Sequence, residues 1–334
     1  MEYHELIAAA EANLKAKNIL ESYCVREGAN YRNGAETNYS NQFNVRYFER
    51  FAFKFRLIDS VEASTETTLF GCTLKTPILC AALSGMTDIV EKPLVKVARG
   101  IKESGSLMCV GIASAEQVAE VLETGAKTVR IVKPFRDIDA MIKELQEAEQ
   151  GGAVAVGTDI TFSYGGKRGD RTFAPKAMGP KSMADLKTLA TVTKLPFVVK
   201  GVLSAQDAEK ALEIGAGAIV VSNHSGAIID YAAHALEVLP EIKQVIGKRI
   251  PVIVDGGFRR GSDVMKALAL GADAVLAGWS IAMGLAANGG EGVTDMVNIL
   301  TAELQRIMSV TGCRDLSTIN RGILVERDHS VRSC

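Results

Sequence analysis

Eight short apolar runs recur along the chain, with amphipathic stretches between them. The runs are PILCAAL (77–83), SLMCVGI (106–112), TVRIVKP (128–134), AVAVGTD (153–159), PFVVKG (196–201), AIVVSNH (218–224), PVIVDGG (251–257) and AVLAGW (274–279). They are rich in Val and Ile and lack polar alternation, the pattern of strands covered on both faces in a parallel sheet. The stretches between carry helix start and stop signals, as in Ser114 to Gly125, Ser204 to Gly215 and Gly261 to Gly271. In Ser204-Ala-Gln-Asp207 a carboxylate three residues past the cap favours the helix N-terminus electrostatically. Eight strand–helix units predict an α/β fold, a (β/α)8 TIM barrel over 77–324. A doubly wound open sheet is the main competitor, but no G-x-G-x-x-G follows any strand.

Residues 1–76 precede the first strand. A helix is expected over His4–Tyr23, followed by the polar stretch GANYRNGAETNYSNQFN. This region reads as an N-terminal extension packed on the barrel's bottom or flank. A long loop, 160–181, follows strand 4 and carries Lys167, Arg168 and Arg171. Loops of that length inside a compact domain are usually functional or mobile. From about Val325 the tail (325–334) has no periodicity and is expected to be frayed.

Composition narrows the function classes. Over 334 residues, 38 Lys and Arg stand against 39 Asp and Glu, so no basic field for nucleic acid is available. The 47% hydrophobic content suits one large core and excludes a disordered acidic chain. No apolar run nears the roughly 20 residues of a membrane span, and the charged N-terminus lacks a signal-peptide core. A soluble cytoplasmic protein with no membrane partner is expected. The six cysteines form no C-x-x-C pair and read as buried thiols rather than a disulfide framework. Four histidines without metal-ligand spacing predict no metal site.

In a barrel of this kind the reacting groups sit at the carboxyl ends of the strands. Strand 4 ends at Asp159, strand 5 at Lys200, strand 6 at His224 and strand 7 at Asp255-Gly256-Gly257. These polar residues close apolar runs and converge on one mouth. Asp255-Gly-Gly-Phe-Arg259-Arg260-Gly261 leads into a helix, and Gly278 closes strand 8. Glycine-exposed backbone amides beside arginines make an anion site, at the place where barrel enzymes often hold phosphate.

The block from Leu195 to Gly292 strongly resembles the FMN-dependent α-hydroxy acid oxidases and dehydrogenases, such as glycolate oxidase and lactate oxidase. The matching pieces are LPFVVKGVLSAQDAEKALEIGAGAIVVSNHSG, ALEVLPEI and VDGGFRRGSDVMKALALGADAVLAG. Weaker similarity extends to YCVREGAN, FERFAFKFRLI and TPILCAAL. The resemblance implies FMN as cofactor, a small-molecule hydroxy compound oxidised to its keto product, and an electron acceptor, oxygen or another carrier. It implies His224 as the base, with Asp159 orienting the imidazole and stabilising its cation. Lys200 is implied at the flavin N1/C2 oxygen edge, and a buried lysine does need a negative partner. Ser222, Asp255, Gly256, Gly257, Arg259 and Gly278 are implied as flavin, ribityl and phosphate contacts. Leu83, Ser84, Gly111, Arg130 and Trp279 complete the implied set. A homo-oligomer of four or more copies is also implied.

The departures lie on the substrate side. The family's His-Gly-Gly-Arg or His-Gly-Ala-Arg reads His224-Ser-Gly-Ala227 here, and alanine cannot clamp a carboxylate. The family's two substrate-facing tyrosines fall near Cys24 and Val132, its strand-3 glutamine appears as Arg130, and its arginine after strand 8 is Trp279. Either other cations hold the acid, with Arg130 favoured over Arg168 and Arg171, or the substrate is not a simple 2-hydroxy acid. Two alternatives stand beside the oxidoreductase. One is a reduced-FMN isomerase resembling type 2 isopentenyl diphosphate isomerase, and the other is a flavin-binding protein with altered catalysis.

Overall fold

The computed structural model describes residues 1–23, 34–173 and 176–327. Eight parallel strands close a barrel: β1 (Ile78–Leu83), β2 (Met108–Val110), β3 (Thr128–Val132), β4 (Ala155–Asp159), β5 (Phe197–Val202), β6 (Ala218–Val221), β7 (Val252–Asp255) and β8 (Ala274–Ala277). Each predicted run matches one strand, with β5 extending one residue past its run, to Val202. The helices after them are α1 (Pro93–Glu103), α2 (Ala115–Glu123), α3 (Ile138–Gln150), α4 (Met183–Thr191), α5 (Ala205–Glu213), α6 (Ala235–Ile246), α7 (Gly261–Ala269) and α8 (Trp279–Val310). This is the TIM barrel expected.

Side chains alternate across a strand, and both faces are apolar here. Leu79, Leu107, Val129, Ile131, Val198 and Val220 point inward and pack together. Ile78, Met108, Val132, Val156, Val199 and Val221 point outward against the helices. That double burial is why the runs show no polar alternation. The helix signals also act as read. Ser114 accepts the Gln117 backbone N–H, and the Gln117 side chain accepts the Ser114 N–H, a reciprocal cap. Ser204 caps α5 through the Asp207 N–H. Gly125 and Gly215 turn the chain out of α2 and α5 at φ of +72° and +78°.

The flanking segments divide among three places. The N-terminal helix, Tyr3–Ala16, buries Leu6, Ala10 and Leu14 in the outer core, and Asn13 donates to the Ala286 carbonyl of α8. It stops short of the expected end: Asn18 takes a left-handed φ of +57° and a separate turn of helix follows at Leu20–Tyr23. A hairpin, Thr67–Leu69 with Cys72–Leu74, closes the barrel bottom by adding Leu69 and Leu74 to the interior cluster. The short helix Tyr39–Arg46, from the asparagine-rich stretch, lies instead at the mouth. Asn44 and Asn223 exchange amide hydrogen bonds there at 2.9 and 2.8 Å.

The 160–181 segment has structure of its own. A turn of 3-10 helix, Ile160–Tyr164, leads into a hairpin, Gly166–Arg168 with Arg171–Phe173. Backbone bonds from Lys167 to Ala227 and from Gly169 to Gly34 tie it down. The tail is not frayed at its start. Leu324–Glu326 pairs antiparallel with Phe51–Phe53, a contact between distant segments that leaves no local periodicity to read. Residues 328–334 lie outside the described residues, as do Cys24, the rest of YCVREGAN after Tyr23, and Cys334.

Candidate active site

The inward face of each strand determines what reaches the mouth. Asp159 and Lys200 are register partners across β4 and β5, and both point into the barrel. Ser222 follows β6 on the same inward parity, and Asp255 ends β7. At this level the packed apolar interior gives way to a polar layer.

Asp159 is the hub of that layer. It is 1% exposed, and its Oδ2 accepts from Lys133 Nζ at 2.8 Å. The same oxygen lies 3.1 Å from His224 Nδ1 and 3.9 Å from Lys200 Nζ. Its Oδ1 accepts the backbone N–H of Thr161 at 3.3 Å and the Thr161 hydroxyl. Lys200 Nζ lies 3.0 Å from Asp255 Oδ2 and donates to Ser222 Oγ at 3.2 Å. Ser222 in turn donates to Asp255 and accepts the His224 backbone N–H.

The electrostatics follow from this sharing. Burial alone would push the Asp159 carboxyl up, but Lys200, His224 and Lys133 outweigh it and hold it well below its usual range. Burial pulls Lys200 down, yet Asp159 and Asp255 lift it above its ordinary value, so it stays an ammonium. Burial pulls Lys133 below its usual value, with Asp159 opposing that change. His224 is lowered, first by burial and then by the positive charges of Lys200 and Lys133 working against Asp159. His224 Nδ1 also lies 3.0 Å from the Thr161 hydroxyl, so Asp159 and Thr161 together hold this edge of the ring, and a neutral imidazole protonated at Nδ1 has Nε2 as its proton acceptor. The backbone at His224 and Ser225 is left-handed, at φ of +52° and +55°. Such conformations are costly for non-glycine residues and gather at functional sites.

A cavity of about 810 Å³ opens above this layer. That volume is within the range of ligand pockets. Leu83, Ser84, Arg168, Lys200, His224, Asp255, Gly257, Arg259, Gly278 and Trp279 line it, so most of the expected cofactor contacts share one space. Ser222 sits beneath it, hydrogen-bonded to Lys200 and Asp255, and Asp159 lies within ion-pair distance of His224 and Lys200. Gly256 has φ of +117°, a conformation only glycine adopts easily, in the turn after β7. The Arg259 guanidinium stacks 4.3 Å from the centre of the Trp279 ring. An ammonium at one part of the wall and a glycine turn with an arginine at another fit a flavin carrying a phosphate.

Arg130 is a correction. It has the wrong parity, pointing out of β3 between the strands and α3, where its Nη2 meets Glu144 at 2.5 Å. Its Nη1 donates to the carbonyls of Val110 and Gly111. It is absent from the cavity wall. Gly111 likewise does not line the cavity. Its N–H bonds the Leu83 carbonyl, and an added Cβ would meet the Ala82 carbonyl at 2.6 Å, so it lets β1 and β2 approach.

The inward residue near the expected tyrosine position is Lys133 rather than Val132, one residue further on. Sequence reasoning missed it, although a signal was present. Lys133 closes the run TVRIVKP as Lys200 closes PFVVKG. Arg168 and Arg171, ranked behind Arg130 from sequence, both reach the cavity from the hairpin.

Comparisons with known proteins agree with this geometry. Residues 26–183 and 166–326 match the model of the FMN-dependent dehydrogenases. The chain is 32% identical over 327 residues to a peroxisomal (S)-2-hydroxyacid oxidase of Arabidopsis thaliana, covering 87% of this chain and 89% of that protein. It is 30% identical over 336 residues to 2-hydroxyacid oxidase 1 of Homo sapiens, covering 88% and 90%. Among solved structures, a lactate oxidase of Pediococcus acidilactici superposes with a TM-score of 0.87 at 26% identity, covering 98% of this chain and 95% of that one. A mandelate oxidase superposes with a TM-score of 0.87 at 27% identity, covering 98% of each.

Proposed function

We propose, from the premise that this chain belongs to the FMN-dependent dehydrogenase family, that it oxidises an α-hydroxy acid to the 2-oxo acid with His224 as base. The observation that carries the reading is the His224–Asp159 contact at 3.1 Å, opening onto the cavity that Lys200 also lines. FMN, when bound, supplies the acceptor for the two electrons that leave the substrate. Lys200, Ser222, Asp255, Gly257, Arg259 and Gly278 are the residues placed to hold it.

His224 accepts the substrate proton at Nε2 while Nδ1 stays on Asp159. The carboxylate then stabilises the imidazolium, which is what a base that becomes charged requires. The substrate carboxylate falls to Arg168 and Arg171 in this reading. The two are register partners across the hairpin, and both line the cavity. Like charges directly opposite each other repel, and an anion between them removes that cost.

The relatives found are oxidases of hydroxy acids, and the isomerase reading is not favoured. Two further parts of the reading rest on sequence: a cytoplasmic location and a homo-oligomer of four or more copies. Exposed Phe55, Leu57 and Ile58 offer an apolar strip for such packing. Among the described residues no helix is long and apolar enough to cross a membrane. The test of the activity is trapping of a 2-oxo acid as its hydrazone after incubation with a panel of 2-hydroxy acids. Light scattering gives the number of copies.

A further inference from the structure

Lys133 has no part in the chemistry assigned so far, yet its surroundings are unusual. It is 8% exposed, at the end of β3, and its only salt-bridge partner among the described residues is the carboxylate that holds the proposed base. One oxygen, Asp159 Oδ2, is shared by Lys133 Nζ at 2.8 Å and His224 Nδ1 at 3.1 Å, with Lys200 Nζ at 3.9 Å. Phe162 covers the arrangement. Its ring lies 3.8 Å from Lys133 Nζ and 4.5 Å from the His224 ring. The ammonium is thereby held close to the imidazole and out of water, where charges act strongly on each other.

The other charged and polar groups around His224 come from every neighbouring element. Asp159 and Thr161 approach from β4 and the turn after it, and Lys200 from β5. Asp255 lies behind Ser222, and Arg168 and Arg171 line the same cavity from the hairpin. The carboxylates are Asp159, Asp255 and, elsewhere on the cavity wall, Asp88. Lys200 pairs with both Asp159 and Asp255, whereas Lys133 is directed at Asp159 alone, on the oxygen that also faces His224.

We propose that Lys133 is a positioning residue that acts through Asp159. It competes with His224 for one carboxylate oxygen and keeps the imidazole neutral, ready to accept a proton, before substrate arrives. This deepens the proposed reading and rests on His224 being its base, but its test does not require that any substrate be turned over.

The test is the titration of His224 in the FMN-loaded protein, followed by NMR with labelled histidine. The chain has four histidines, so H224Q assigns the signal. The variants are K133M, K133Q, which keeps a donor but no charge, and K133R, which keeps the charge. The His224 midpoint is expected to rise by about one pH unit in K133M and K133Q and to stay at the wild-type value in K133R. If K133M fails to fold, K133Q carries the test. An unmoved midpoint in folded K133Q, or an equal rise in K133R, overturns the proposal. The shift with no hydroxy acid oxidised would sink the functional reading alone, and oxidation with no shift would sink this inference alone.

Discussion

Asp159 and Lys200 face each other across β4 and β5 as register partners, with Nζ 3.9 Å from Oδ2. The barrel wall itself thus fixes their distance, and His224 and Lys133 are gathered onto the same carboxylate. Asp159 therefore serves the fold and the chemistry together. D159N leaves Lys133 without its buried counter-charge and His224 without a charged partner. Removing one member of a buried pair costs roughly 3–5 kcal/mol, and losing support for a general base costs about 10²–10⁴ in rate. A thermal melt and a measurement of flavin reduction on the same preparation are expected to show both losses. Unchanged reduction would remove Asp159 from the mechanism.

Arg130 gives a contrasting prediction. Its guanidinium bridges β3 to Glu144 of α3 and caps the Val110 and Gly111 carbonyls, away from the cavity. R130M is expected to lower the melting temperature while FMN affinity and KM stay at wild-type values. A raised KM with an unchanged melting temperature would return Arg130 to the substrate site.

These two residues mark how far sequence alone reaches. Strands, helix caps and strand-end chemistry are local features: Ser114 and Gly125 delimit α2 by their own conformational preferences, and Asp159 and Lys200 close their runs visibly. Facing is not local. TVRIVKP is apolar on both parities, so nothing within it tells whether Arg130 or Lys133 turns inward, and a one-residue slip reverses every side chain. The placing of Tyr39–Arg46 at the mouth was hidden for a similar reason. Asn44 is polar because it pairs with Asn223, a partner far away in sequence.

Arg168 and Arg171 are expected to act on the substrate's charge. R168A and R171A should each raise KM for a 2-hydroxy acid about 10- to 100-fold, in line with the roughly 1.5–3 kcal/mol of a charged hydrogen bond. KM for the matching methyl ester should hardly change. Equal effects on acid and ester would show that the hairpin shapes the cavity without binding the carboxylate.

Acid stability depends on His234. Burial, opposed by its hydrogen bond to the Asn44 carbonyl, pushes its pKa down from 6.5 to about 3. Between those values the unfolded chain binds a proton that the folded one refuses. The stability gained by keeping this histidine neutral is therefore complete above pH 6.5 and falls as pH drops toward 3. H234N retains a capping oxygen for the Leu236 N–H and loses the titration. Denaturant midpoints at pH 7 and pH 5 are expected to show a drop smaller than wild type by about 2 kcal/mol in this variant. An identical drop would exclude His234 as the source.

The central claim is that a flavin in this cavity takes electrons from a hydroxy acid whose proton goes to His224. The most direct measurement is anaerobic mixing of the FMN-loaded protein with 2-hydroxy acids while the 450 nm absorbance is followed, for wild type and H224A. Bleaching by at least one acid in the wild type, slowed about 10²–10⁴-fold in H224A, is the predicted result. A flavin that dithionite reduces but no 2-hydroxy acid bleaches, or equal rates in the two proteins, would contradict it.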